Sequence, residues 1–152
     1  MRTSWMTTTV GMDAIEQLSS NLIRVSRRID RQVSIGGLTS TEASVLGSIV
    51  ARGPLGLSEL ATQQAINRTM LSRVLGKLEA ADLIVRQSSI ADGRAIEVVA
   101  TPEGARLRER LIAARTRLLA EKLGGLPSET ITTIIDAVPG LAELAAALEP
   151  TP

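Results

Sequence analysis

The chain has no cysteine and no histidine among its 152 residues. Disulfides, thiol redox chemistry, thiolate or imidazole metal sites and histidine general bases are excluded together, which lowers the odds of an enzyme and leaves no metal or cofactor expected. Phenylalanine and tyrosine are also absent and Trp5 is the single aromatic residue, so any core must be built from Leu, Ile, Val, Ala and Met. That composition suits helix packing. Net charge is small as well, with 17 basic residues against 16 acidic ones and a sum of +1. A surface for a polyanion must therefore come from the distribution of charge rather than its total. No apolar run approaches the roughly 18 residues that cross a bilayer, and Met1 to Met12 is Thr-rich without the apolar block of a signal peptide. A cytoplasmic location without membrane attachment is expected.

Apolar residues make up 44% of the chain, and their spacing divides it. Ile15, Leu18, Leu22, Val25, Ile29 and Val33 step by three or four and form one stripe of a long helix, which Gly36-Gly37 should stop. Thr39 followed by Glu42 is a capping box opening a second helix that buries Val45, Leu46 and Ile49 and ends at Gly53-Pro54. Ser58 is the expected N-cap of a short third helix, and Asn67 that of a fourth, whose Leu71, Val74, Leu75 and Leu78 face inward.

Residues 83–87 and 95–99 read as two short strands, joined by a projecting tip where Asp92-Gly93 favours a tight turn. Thr101-Pro102 is an N-cap followed by Pro at the first helical position, and the helix it opens runs to Gly124-Gly125. Pro127-Ser128 begins a final helix with Ile131, Ile134, Ile135, Val138, Leu141 and Leu144 on one side, and Pro139 should kink or break it. One small globule has too little interior for the first and last of these stripes. A homodimer interface is expected instead.

The predicted fold is mainly α-helical with a small β-hairpin wing. Residues 1–12 are read as a flexible tail, 13–37 as an N-terminal dimerisation helix, 38–101 as a winged helix-turn-helix domain and 102–152 as C-terminal dimerisation helices. In such a domain the second helix of the pair enters the major groove of double-stranded DNA. Arg68, Arg73 and Lys77 lie on that helix with no acid among them, and a basic hairpin tip follows. Charges at this spacing usually mark an ordinary solvated face, but a positive helix next to a positive wing matches two adjacent grooves. Lys77, late in the helix, touches phosphate or nothing. Arg86 and Ser88 either contact phosphate or merely edge the sheet. The later series Arg106, Arg108, Arg110, Arg115 and Arg117 is interleaved with Glu103, Glu109 and Glu121, as on a solvated helix with internal pairs.

In order along the chain, Leu38-Thr39-Ser40-Thr41-Glu42, Ser58-Glu59-Leu60-Ala61, Asp92-Gly93-Arg94 and Val98-Val99-Ala100-Thr101-Pro102-Glu103-Gly104 resemble the MarR family, the multiple-antibiotic-resistance type of winged helix-turn-helix transcription regulators. The resemblance covers nearly everything after Met12. It implies a homodimer on a pseudo-palindromic promoter site, usually as a repressor, with a small-molecule effector as a further partner in some members. It also implies that Arg94 is the wing-tip arginine of the minor groove and that Asp92 orients it by an ion pair. Asn67, Arg68, Thr69, Met70, Ser72 and Arg73 match the exposed start of the family's recognition helix. Many relatives carry Gly in the turn before that helix and Pro near its start, where this chain has Ala65 and Thr69.

Two other readings stand beside this one. A winged-helix module that binds protein would tolerate salt and charge reversal at Arg73 and Arg94. An enzyme would need a Ser or carboxylate site, and the sequence shows no Ser-Lys pair, phosphate-cradling glycine loop or spaced carboxylate cluster.

Overall fold

The computed structural model describes residues 11–90, 93 and 95–148, in two compact units that meet in sequence between Val33 and Ser34. The first unit is helix α1, Met12–Gln32, none of whose residues is buried. Its apolar stripe holds Ile15, Leu18, Leu22 and Val25, all exposed. The helix stops at Val33, before the glycines expected to end it. Gly36 and Gly37 instead adopt positive φ in the turn that follows.

The second unit contains α2 (Ser40–Arg52), β1 (Leu55–Gly56), α3 (Leu57–Gln63), α4 (Arg68–Ala80), β2 (Ile84–Ser88), β3 (Ile96–Ala100), α5 (Pro102–Gly124), α6 (Ser128–Asp136) and α7 (Val138–Ala147). Its core is aliphatic: Val45, Leu46 and Ile49 of α2 meet Leu60, Leu71, Leu75, Leu78, Ile84, Val98, Leu107 and Leu111, all buried. The strands form one antiparallel sheet in the order β1-β3-β2, with Leu55 opposite Val98 and Ile84 opposite Ala100. The third strand, β1, is absent from the sequence reading because two residues are too few to show alternation. The hairpin strands lie one residue later than expected.

Capping is where sequence and structure agree most closely. Thr39 Oγ1 accepts from the Glu42 amide and Glu42 Oε2 accepts from the Thr39 amide. Asn67 Oδ1 accepts from the Met70 amide at 2.8 Å, and Thr101 Oγ1 from the Gly104 amide at 3.0 Å. Ser58 departs from expectation: α3 starts two residues earlier, after Gly56, with no side-chain cap. The Ser58 hydroxyl is then available to accept from Arg68 Nη2, at 3.3 Å.

Gly104 fixes how α5 leaves the sheet. A Cβ there would collide with the Leu83 carbonyl oxygen and sit 3.3 Å from Leu46 Cδ1. The Leu83 oxygen already accepts from the Thr101 amide, so it is held in place. Along α5 the solvated-helix expectation holds for Glu103, which pairs with both Arg106 and Arg110. It fails for Arg108, which is half-buried and lies against Gly47 of α2.

The last two helices divide at Ala137, with Pro139 in the first turn of α7, as the missing amide of proline predicts. Neither contains a buried residue. Within Ser128–Ala147 an 18-residue window reaches a mean hydropathy of 1.3, enough by length and composition for a membrane span. The stretch is not an unbroken apolar run, being punctuated by Glu129, Asp136 and Glu143. Each half is well short of the roughly 20 residues of a spanning helix.

Candidate nucleic-acid interface

Helices α3 and α4 with the turn between them form the helix-turn-helix. Both end the same way: the Ile66 amide donates to the Ala61 carbonyl and the Ala65 amide to Thr62, while Leu83 donates to Leu78 and Asp82 to Glu79. These are Schellman closures, which put one residue in the left-handed region. Here those residues are Ala65, φ +50, and Asp82, φ +55. A β-carbon in that region costs about 1 kcal/mol or more, which glycine avoids. Ala65→Gly is therefore expected to raise stability by about 0.5–1 kcal/mol after the loss to unfolded-chain entropy. A thermal melt that falls instead would show that the turn is not strained.

Helix α4 buries Leu71, Val74, Leu75 and Leu78. At 3.6 residues per turn, the side opposite carries Thr69, Ser72, Arg73 and Gly76, all exposed. Arg68 and Met70 flank this face and are exposed as well. Arg73 has no hydrogen bond or ion pair with any described residue. Its first turn has no acidic residue and begins with Arg68, against the usual preference for negative charge at a helix N-terminus. Free amides and a guanidinium there attract anions together.

The remaining predicted positions are placed differently. Lys77 reaches back toward α2, where Nζ lies 2.8 Å from Glu42 Oε1. Glu42 is only 5% exposed, and the Lys77 ammonium, then the Thr39 amide, hold its carboxyl below the ordinary value. A depressed carboxyl pKa stabilises the fold above its unfolded value, and that stabilisation is lost as pH falls through the folded value. Lys77→Ala is expected to cost about 1–2 kcal/mol at neutral pH, less than breaking a fully buried pair because Lys77 itself is largely in water. The gap from wild type should narrow as pH falls below the ordinary glutamate range and close only below the lowered folded value, where Glu42 is protonated in both. A gap that is independent of pH would contradict the pairing.

Arg86 on β2 lies 3.2 Å from Glu79 at the end of α4, with both side chains partly exposed, a pair worth under about 1 kcal/mol. Ser88 is exposed at the end of β2. Beyond it Ser89 is buried and donates to Glu97 Oε1 at 2.6 Å, which stiffens the base of the wing. Asp92 and Arg94 lie outside the described residues. Between α3, α4 and β2 is a cleft of about 190 Å³ with Leu57, Leu71 and Leu75 as its floor and Ser58, Arg68, Ser72 and Arg86 around it. Two guanidiniums and two hydroxyls at the mouth of a small cleft suit a phosphate-sized anion. The Glu42–Lys77 pair and the Ser58–Arg68 contact were not visible in the sequence, since both join residues ten or more positions apart.

A family model described as the MarR family matches residues 38–96. The chain is 30% identical over 109 residues to the HTH-type transcriptional repressor MdtR of Bacillus subtilis (strain 168), which covers 72% of this chain and 70% of that protein. Its fold is similar to that of the YusO protein from Bacillus subtilis, with a TM-score of 0.68 and 24% identity over 87% of this chain and 94% of that one. It is also similar to Streptococcus pneumoniae FabT, solved in complex with DNA, with a TM-score of 0.65 and 17% identity over 91% and 99% of the two chains. The helix-turn-helix, the three-stranded wing sheet and the extent of the match to a repressor agree: the chain belongs to the MarR family of winged-helix transcription regulators.

Proposed function

We propose that the protein is a cytoplasmic, dimeric repressor that reads a pseudo-palindromic site in double-stranded DNA through α4 and the wing. The observation that carries this reading is the outer face of α4, where Arg73 stands exposed and unpaired with any described residue among Thr69 and Ser72, with Arg68 on its flank and no acid in the first turn of the helix. Side chains of this kind serve the two tasks of a groove-binding helix. Arg73 reads guanine bidentately or clamps phosphate, and the hydroxyls reach base edges or backbone. Arg68 and Arg86, with Ser58 and Ser72, hold a phosphate at the cleft between α3 and β2, and Ser88 extends that contact along the wing. Asn67 acts mainly through its cap, and Lys77 through Glu42. Arg94, oriented by Asp92, enters the minor groove.

Dimerisation is supported by what is left uncovered. The apolar sides of α1, α6 and α7, including Leu18, Leu22, Ile134, Ile135, Val138 and Leu141, are exposed, and a second copy would cover them. Two-fold symmetry then spaces the paired helices by about one DNA turn, on the order of 34 Å. Binding to duplex DNA should weaken on the order of a thousandfold between 50 and 200 mM salt, as for a protein that neutralises several phosphates. Binding to a protein partner that survives both this salt change and Arg73→Glu would replace DNA reading with a protein-interaction role.

A further inference from the structure

Gly76 sits in the interior of α4, where glycine is the least favourable residue apart from proline. The fold gives no reason for it. Its backbone is helical with no positive φ, the position is exposed, and a Cβ built there meets nothing within 4 Å. Gly104 lies on the Leu83 carbonyl, Gly53 on the Ile49 carbonyl, and Gly36 combines positive φ with contact to Leu107, while Gly56, Gly124 and Gly140, which also have open space, sit at a helix end or in its first or last turn. Gly76 meets no such demand, so the close approach it permits is to something outside the chain.

Its place on the helix says what that is. Gly76 is three residues after Arg73, four after Ser72 and seven after Thr69, which puts it on the same ridge, directly opposite the buried Leu71, Val74, Leu75 and Leu78. We infer that Gly76 is the point where the α4 backbone comes closest to DNA, and that the missing side chain lets the helix settle deeply enough for Arg73, one turn earlier, to reach a base edge. Glycine is the residue used where backbone must approach a ligand closely. This rests on the DNA-reading role proposed above and adds a depth-setting residue to it.

The full-length wild type, Gly76→Ala and Gly76→Gln are compared on a duplex recovered by the wild type from a random pool, alongside their thermal melts. Both variants should melt higher, since alanine and glutamine are better helix formers and have open space. Affinity should fall with bulk, roughly threefold for alanine and roughly thirtyfold or more for glutamine, a loss of the size of one or two base contacts. Wild-type affinity in both variants would overturn the inference, and so would a lowered melting temperature, which would mean that the fold itself needs the glycine. If the wild type recovers no sequence from the pool, the failure lies with DNA reading itself and not with Gly76.

Discussion

Arg73→Ala is expected to weaken binding to the recognised sequence by about 1–3 kcal/mol, roughly 5- to 150-fold, while leaving the thermal melt where it is. The separation of these effects follows from the structure. Arg73 touches no described residue through a hydrogen bond or ion pair, so removing it takes nothing from the fold. It projects from the face of α4 opposite the core, where a guanidinium can form two parallel hydrogen bonds to guanine. Arg73→Lys distinguishes base reading from simple charge: a lysine keeps the charge but loses the fork, and should recover affinity for DNA in general without recovering the preference between sequences. An Arg73→Ala variant that binds as tightly as wild type would remove α4 as the reading helix. Lys77→Ala is the contrasting case, because its ammonium is engaged with Glu42 2.8 Å away and its loss is felt in stability.

Gly104→Ala is expected to be the most damaging of the single-methyl changes, costing about 3 kcal/mol or more and lowering the melting temperature by roughly 10 °C. The added carbon would meet the Leu83 carbonyl oxygen, with Leu46 Cδ1 close behind. Neither neighbour can yield cheaply. The Leu83 oxygen accepts from the Thr101 amide, and Leu46 is fully buried in the core. Relief requires α5 to move off the sheet, which would also open the Thr101 cap at the Gly104 amide. Gly76→Ala is the internal control, a glycine of α4 with empty space around it. If Gly104→Ala melted like wild type, the close packing of α5 on the end of the sheet would be wrong.

The parts of this architecture legible in the sequence are those fixed by local chemistry. Thr39 with Glu42, Asn67 and Thr101 with Pro102 announce their helices because a cap is a contact within four residues. The inward faces of α2 and α4 follow from periodicity, and the break at Ala137 from Pro139. What escaped depends on residues distant in sequence or on backbone geometry. Glu42 reads as a capping residue but is also the anchor for Lys77, 35 positions away. Lys77 reads as a phosphate contact or none, and its pair with Glu42 is hidden because spacing along a helix gives azimuth but says nothing of where a long side chain bends. Ser58 looks like an N-cap, yet the helix begins at Leu57. Ala65 carries no sign of positive φ in its identity and Asp82 only a weak one, since that conformation is imposed by the Schellman closures around them. For the candidate interface, the sequence marks Arg68 and Arg73 through the absence of acids, and the structure adds which side of the helix each occupies.

The most direct test of the account is selection by the wild-type protein from a pool of random duplexes, with recovered sequences measured at two salt concentrations. A dimeric DNA reader should enrich a pseudo-palindrome whose half-sites lie about one helical turn apart, bound by two protomers and weakened steeply by salt. A pool that emerges unenriched, with binding weak or indifferent to salt, would contradict it.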